Sequence, residues 1–202
     1  AFLPAIEDHP LAIAVGEWVI ATALTEAGRW RGLGLDIPIS VNVGAHQLQQ
    51  ADFVERLGAI LATNPGLDPS RLELEILETS ALNDITQVSQ VIEDCERIGV
   101  TFALDDFGTG YSSLTYLKRL KVRLLKIDQS FVRDMLDDPD DLAILEGVIG
   151  LASAFKCGVI AEGMETAAHG AMLLKLGCDL AQGYGIARPM PGDAIPAWSA
   201  SW

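Results

Sequence analysis

The sequence predicts an α/β fold, a (β/α)8 barrel of the TIM type, and two observations favour it. Short β-rich runs alternate with longer amphipathic segments, which is the pattern of repeated βα units. The predicted strands also carry one apolar face and one polar face. An open parallel sheet is covered by helices on both sides and has two apolar faces, so the alternation favours a barrel over a doubly wound sheet.

The elements follow each other in a regular order along the chain. The predicted strands are 37–44, 71–77, 101–107, 123–128, 158–164 and 180–186. The predicted helices lie near 11–28, 47–62, 84–98, 112–119, 140–155 and 165–176.

The second predicted strand shows the alternation of side chains most clearly. Leu72, Leu74 and Ile76 share one face, while Glu73 and Glu75 share the other. In a barrel the apolar face packs outward against the helices and the polar face points inward. We therefore expect the acidic side chains inside the barrel.

The chain length limits how much of such a barrel is present. The sequence has 202 residues and no initiator Met, whereas a complete barrel takes about 250 residues. No low-complexity linker divides the chain. We expect one domain over residues 1–202 that lacks an N-terminal strand.

The charge excludes some classes of partner. With 14 Lys and Arg against 28 Asp and Glu, the net charge is −14, which argues against binding to DNA, RNA or an anionic membrane surface. A phosphate ligand stays possible if divalent cations bind the carboxylates. Three cysteines without C-x-x-C spacing indicate neither a disulfide framework nor a zinc knuckle. The apolar stretch from residue 11 to 24 contains Glu17 and is too short for a membrane span, so we expect a cytoplasmic domain.

Polar residues lie at or near the C-terminal end of every predicted strand. They are Asn42, Glu75, Asp105, Asp106, Lys126, Asp128, Glu162 and Gln182. These strand ends converge on the active-site face of a barrel. The oxygen donors among them suit Mg²⁺ or Mn²⁺, and the lack of His and Cys there disfavours zinc. A single Asp at a strand end would more often be a helix cap or a turn residue.

The segment 105–114, DDFGTGYSSL, carries the most information. Asp105 and Asp106 cannot both stay charged and close together without a cation or a proton between them. Gly108 and Gly110 predict a flexible turn, and Ser112 or Ser113 is a predicted N-cap. The alternative is an ordinary βα loop with an acidic cap.

Several motifs in order resemble one known family. VNVGAHQL, LELEILETS, LDDFGTGYSSLTYL, LLKIDQSFV, IAEGMET and QGYGIARPMP are similar to the segments of EAL-type domains that hydrolyse cyclic diguanylate. The resemblance covers essentially the whole chain. It implies a modified (β/α)8 barrel that binds two Mg²⁺ or Mn²⁺ ions and opens the cyclic dinucleotide to linear pGpG.

The resemblance also assigns roles to residues at matching positions. The implied metal ligands are Asn42, Glu75, Asp105 and Asp106. The implied catalytic group contains Lys126 near the attacking water, Glu162 as general base or second-metal support, and Glu78, which holds the DDFGTG loop. The implied substrate-side residues are Gln182, Asp128 and Glu165. From the sequence alone, Lys126 has an alternative role as a barrel-interior partner of Glu73 or Glu75.

The chain departs from the family pattern at three places. The Glu-Ala-Leu motif, whose Glu is a metal ligand in the family, does not occur in these residues, and we expect it upstream. Leu77 stands where Thr is usual, and Gly44 stands where Ser is usual. The competing prediction is therefore an inactive receptor for cyclic diguanylate. The resemblance further implies a homodimer, and sensor or synthase domains in a full-length protein that can be membrane-attached.

Two other patterns receive ordinary structural interpretations. The acidic run 137–141, DDPDD, is the predicted start of a solvated helix, with Pro139 in its first turn. Trp18 and Trp30 fall in the apolar stripe of the first helix and are predicted core residues.

Overall fold

The computed structural model describes residues 9–109 and 114–202. The chain forms two compact units. The first unit takes its residues from Ala1–Ile76, Asp84–Phe102 and Met190–Trp202, and the second from Leu77–Asn83 and Ala103–Pro189.

Helices and strands alternate along the described residues, as the sequence predicts. In chain order they are α1 (Leu11–Gly32), β1 (Ile39–Asn42), α2 (Ala45–Leu48), α3 (Phe53–Ala62), β2 (Leu72–Leu77), α4 (Glu78–Asn83), α5 (Ile85–Arg97), β3 (Thr101–Phe107), α6 (Leu114–Arg119), β4 (Leu124–Ile127), α7 (Gln129–Asp134), α8 (Pro139–Phe155), β5 (Gly158–Glu162), α9 (Ala167–Lys175), β6 (Leu180–Gln182) and α10 (Ile195–Ser199). Short 3-10 turns cover Pro69–Arg71 and Gly192–Ala194.

The first unit is built on the parallel pair of β1 and β2. Helix α1 contacts β1, α2 and α3, and it buries Ile20, Leu24, Ala27 and Trp30. These four residues recur at three- and four-residue spacing, which places them on one helix face. The indole N–H of Trp30 donates a hydrogen bond of 2.8 Å to the carbonyl of Gly192. This bond ties the C-terminal segment to the core of the unit.

Helix α1 corrects two sequence expectations. Trp18 is 67% exposed, because it lies off the stripe that Trp30 shares, so its assignment to the core is wrong. The helix continues to Gly32 and reaches 22 residues. It is the one described helix long and apolar enough to cross a membrane by length and composition, a test that core helices of soluble proteins also pass.

The second unit contains parallel strands that pair in chain order from β3 to β6. Leu125, Ile127 and Ala161 of the central strands are fully buried, and α8 packs against β4, β5 and α7. Parallel strands end at the same edge, so their last residues become neighbours. Glu162 of β5 and Gln182 of β6 are paired in register.

The predicted elements all occur, with differences at their ends. Strand β5 ends at Glu162 rather than at residue 164, because Gly163 has a φ of +75° and leaves the strand. The predicted helix 47–62 is two helices, α2 and α3. Helices α4, α7 and α10 were not predicted, because five or six residues are too few to show a helical period.

Candidate functional site

Asp105 and Asp106 lie at the end of β3, where the strand is irregular. The pairing of β3 with β4 shifts register between Leu104 and Phe107. Asp106 has a φ of +54°, in the left-handed region, and its N–H donates to Oδ1 of Asp105 at 3.1 Å. Consecutive side chains of a regular strand point to opposite faces. The irregularity breaks this alternation and lets two consecutive carboxylates belong to one cluster.

Lys126 of β4 connects the ends of the strands on both sides. Its ammonium lies 2.9 Å from Oδ1 of Asp105 and 2.7 Å from Oε1 of Glu162. Its side chain is only 4% exposed. An ion pair that is this buried depends on both partners, because removing one charge leaves the other without compensation in a poorly solvated site.

Asp105, Asp106 and Glu162 form the central acid cluster. One carboxylate oxygen from each lies within 4.8 Å of the others, so the three could hold a metal ion. An all-oxygen donor set fits a hard divalent cation. Burial raises the pKa of Asp106, and the nearby carboxylates of Asp105, Asp128 and Glu162 raise it further. A bound cation would offset this repulsion.

Glu78 anchors the loop that follows β3. It begins α4, is 2% exposed, and accepts a hydrogen bond of 3.0 Å from the N–H of Gly108. Gly108 has a φ of +103°, and a Cβ there would lie 3.0 Å from the ring of Phe131. Gly108 therefore makes a close turn against Phe131, and Glu78 holds the N–H of this turn. Gly110, Ser112 and Ser113 of this motif lie outside the described residues.

Asp128 is both a helix cap and a neighbour of the central acid cluster. Its carboxylate accepts from the N–H of Ser130 at 2.9 Å and from the Ser130 hydroxyl, and so caps α7. A hydrogen bond between the side chains of Asp106 and Asp128 contributes to the raised pKa of Asp106. The structure thus shows the helix cap and places Asp128 beside the central acid cluster, and its role as a site residue stays a prediction.

The loop after β5 is held by unusually close backbone contacts. A Cβ at Gly163 would lie 2.6 Å from Cβ of Gln129. On the other side, Met164 N–H donates to the carbonyl of Gln182 at 3.0 Å, and Gly185 N–H donates to the carbonyl of Met164 at 2.8 Å. A Cβ at Gly183 would lie only 2.3 Å from that carbonyl oxygen. Only glycines permit this approach, so QGYG is a packing motif as well as the carrier of Gln182.

The loop after β5 also carries Glu165, which is exposed. Its backbone N–H donates to Nδ1 of His169 at 3.4 Å. His169 is 7% exposed and was not predicted as a site residue. The signal that could have found it is the spacing from Thr166 to His169, which is that of a capping box.

Asn42 and Glu75 belong to the first unit, where Asn42 ends β1 and is paired in register with Glu75, two residues before the end of β2. The N–H of Val43 donates to the Glu75 carbonyl at 2.9 Å. Glu75 is 6% exposed, and Asn42 is exposed. Gly44 is the N-cap residue of α2 and, unlike the Ser that is usual there, has no side chain that could accept a hydrogen bond.

A family model described as the EAL domain matches residues 1–189. The chain belongs to the EAL domain family. The sequence resemblance is thereby confirmed, and so is the fold class, because the structural neighbours below are EAL domains. The parallel strands and their helices are those of a modified (β/α)8 barrel.

Curated relatives are longer than this chain. It is 39% identical over 197 residues to the bifunctional diguanylate cyclase/cyclic di-GMP phosphodiesterase MucR of Pseudomonas aeruginosa, which covers 97% of this chain and 29% of that protein. It is 36% identical to the cyclic di-GMP phosphodiesterase PA2567 of the same species and spans 33% of its length. The chain thus corresponds to about a third of these proteins.

Solved structures agree with the family assignment. A structure described as the PaMucR phosphodiesterase in complex with c-di-GMP has a TM-score of 0.91 and 38% identity, and it covers 96% of this chain and 78% of that chain. The EAL domain of DcpA from Mycobacterium smegmatis has a TM-score of 0.88 and 40% identity, with 94% of this chain and 86% of that chain covered.

Proposed function

We propose that this chain is a metal-dependent phosphodiesterase domain that hydrolyses cyclic diguanylate to linear pGpG in bacterial second-messenger signalling. The observation that carries the proposal is the buried Lys126 between Asp105 and Glu162, with Asp106 completing an acidic cluster. Membership of the EAL family and similarity to proteins described as cyclic di-GMP phosphodiesterases support it.

The cofactor we propose is a pair of divalent cations, Mg²⁺ or Mn²⁺. Asp105 and Asp106 would hold a cation in the second unit, with a carboxylate oxygen of Glu162 within 4.8 Å of theirs. For Asn42 and Glu75 the role of cation ligand stays a prediction from the family resemblance. Bound cations would lower the pKa of a water molecule and neutralise the non-bridging oxygens of the phosphodiester.

The side chains of the site have separate tasks in the proposed hydrolysis. Glu162 accepts the proton of the attacking water, whose oxygen forms a new bond to phosphorus while the bond from phosphorus to the 3′ oxygen breaks. The 3′ oxygen takes up a proton from solvent and becomes the free hydroxyl of the linear product. Lys126 stabilises the negative charge that develops on the phosphoryl group. Glu78 holds the β3 loop in shape through Gly108.

The substrate-side residues surround these groups. We propose that Asp128, Gln182 and Glu165 contact the dinucleotide. Two observations support this: Asp128 is hydrogen bonded to Asp106, and Gln182 is paired in register with Glu162.

The competing function is a catalytically inactive receptor. An EAL domain of FimX from Pseudomonas aeruginosa, described as bound to c-di-GMP, has a TM-score of 0.85 and 27% identity to this chain. The presence of Lys126 and Glu162 favours the enzyme, since a receptor has no need of groups that activate water or stabilise charge on the phosphoryl group.

One assay separates the enzyme from the receptor. The protein, including any residues that precede Ala1, is mixed with cyclic diguanylate and Mg²⁺ or Mn²⁺, and pGpG is measured by chromatography. We expect product from the wild type and a loss of about 10²- to 10⁴-fold in Glu162→Gln. The matched control is Asp140→Asn, an acid-to-amide change at an exposed position. Tight binding of the dinucleotide without product would establish the receptor instead.

We also propose a cytoplasmic homodimer that is part of a larger protein with sensor or synthase domains. The exposed face of α8 supports the homodimer, because Ile144 and Phe155 are 39% and 36% exposed and Gly147 and Gly150 leave open space beside them. Light scattering checks this state: Ile144→Asp should yield monomers, whereas Glu146→Asp on the same helix should leave the dimer intact.

A further inference from the structure

His169 is a buried polar residue that the proposed chemistry does not use. It lies on α9, is 7% exposed, and makes two hydrogen bonds at the start of that helix. Its backbone N–H donates to the hydroxyl of Thr166 at 3.1 Å, and its ring nitrogen Nδ1 accepts from the backbone N–H of Glu165 at 3.4 Å.

This pair of bonds resembles a capping box with an imidazole as the returning acceptor. In a capping box the first residue caps the helix, and a side chain three residues later accepts a backbone N–H near the cap. Thr166 and His169 have this spacing. The N–H that His169 accepts belongs to Glu165, so the cap reaches one residue further into the loop after β5.

That bond adds a hydrogen bond to a part of the loop whose backbone is otherwise held by packing, since Glu165 lies against Gly185. Met164 is already held by hydrogen bonds to Gln182 and Gly185, and Gly163 is packed against Gln129. The N–H of Glu165 is the next backbone donor along the chain. Because His169 satisfies it, the backbone from Glu162 to Thr166 is constrained at both ends.

We propose that His169 is a positioning residue that sets the direction of the exposed Glu165 side chain toward the dinucleotide. The proposal rests on the proposed function for the ligand that Glu165 contacts. His169 itself touches neither the ligand nor a cation. Its effect passes through one hydrogen bond to the Glu165 backbone.

Two substitutions at His169 separate this bond from packing. His169→Ala removes the acceptor but keeps the N–H that donates to Thr166. His169→Asn restores an acceptor, because Oδ1 of Asn is as many bonds from Cα as Nδ1 of His. The matched control is Leu174→Ala, a truncation at a 66% exposed position of the same helix.

The first measurement is amide hydrogen exchange at Glu165. We expect exchange about tenfold faster in His169→Ala, a return toward the wild-type rate in His169→Asn, and no change in Leu174→Ala. Unchanged exchange in His169→Ala would overturn the proposal. This readout requires neither ligand nor turnover, so it decides the role of His169 in the loop even if the proposed function fails.

The second measurement is a double-mutant cycle on binding of cyclic diguanylate in the presence of Mg²⁺, made in a Glu162→Gln background so that the ligand is not consumed. We expect His169→Ala and Glu165→Ala each to weaken binding about tenfold, and the double variant to bind no more weakly than Glu165→Ala alone. In turnover, His169→Ala should raise KM and leave kcat nearly unchanged. Additive losses in the cycle would show that His169 and Glu165 affect binding independently and would overturn the proposal.

Discussion

Two acidic clusters of the second unit look alike in sequence and differ in structure. The central acid cluster is assembled from the ends of β3 and β5 around the buried Lys126. The surface acid cluster consists of Asp134, Asp138, Asp140 and Asp141 and lies at the start of α8 and just before it. Two of its carboxylates already have partners close by in the sequence, since Asp138 caps α8 and Asp134 forms an ion pair with Arg133 at 2.7 Å.

The difference shows what turns carboxylates into a site. Both clusters contain a carboxyl with a raised pKa: desolvation and Asp138 act on Asp141, and burial and Asp105 act on Asp106. A raised pKa therefore does not distinguish them. What distinguishes the central acid cluster is that its carboxylates come from separate strands and surround the buried ammonium of Lys126. Nearby water cannot relieve the repulsion between them there.

The largest expected contrast comes from removing the basic side chain that is paired with each acidic cluster. Lys126→Met leaves Asp105 and Glu162 buried without their partner, so we expect the free energy of unfolding to fall by about 3–5 kcal/mol in the absence of divalent metal. Arg133→Met breaks an exposed pair and should cost no more than about 1 kcal/mol. Urea unfolding checks both values. Equal losses would contradict the distinction between the clusters.

The next contrast is the response to divalent cation. Mn²⁺ or Mg²⁺ at about one hundred times its Kd should stabilise the wild type by about 2.7 kcal/mol, which raises Tm by about 5–10 °C for a chain of this size. Asp105→Asn should lose this increase, and Asp140→Asn should keep it. Thermal unfolding with and without metal measures the shift. A rise in Tm on adding metal that is lost in Asp140→Asn would place the metal at the surface acid cluster and contradict the prediction.

A third contrast concerns pH in metal-free protein. The pKa of Asp106 is raised in the folded state, so its charge costs no stability below the unfolded value near 3.8. The penalty appears as pH rises above that value and is complete above the folded pKa. Asp106→Asn should therefore stabilise the metal-free protein increasingly over this range, and Asn also tolerates the left-handed backbone. Unfolding curves across pH test the sign, and a benefit that is greatest at low pH would contradict it.

The smallest expected effect belongs to the surface acid cluster. Asp138→Ala removes the cap of α8, in which Asp138 accepts from the N–H of Asp140 at 2.8 Å. We expect a loss of about 1 kcal/mol in the free energy of unfolding. Turnover of cyclic diguanylate should stay within about twofold of wild type. A large loss of turnover would mean that this cluster takes part in the reaction.

The sequence was sufficient for the order of the elements because each strand kept its alternation or its apolar run. It was also sufficient to single out Asp105, Asp106, Lys126 and Glu162, because polar residues at strand ends stand out against an apolar core. The left-handed backbone at Asp106 was not predictable, since it depends on the register shift between β3 and β4.

Contacts through the backbone were equally hidden from the sequence. His169 is a single polar residue in a helix, and its role follows from the position of the Glu165 N–H. Trp18 is predicted to be a core residue because it falls in an apolar stretch, but it lies about a third of a helical turn out of phase with Trp30 and so faces the solvent. Patterns of residue type record which face is apolar and do not record where a loop places its N–H groups.

The glycines after β6 have a consequence for sequence variation. Gly183 and Gly185 carry no chemistry, yet their missing side chains are what allow the loop with Glu162 and Glu165 to lie against them. In a library of all single substitutions, both positions should be as intolerant as the central acid cluster. Tyr184 between them is 58% exposed and should accept far more replacements. A set of functional variants in which positions 183 and 185 stay Gly while position 184 varies would reveal this loop contact from sequences alone.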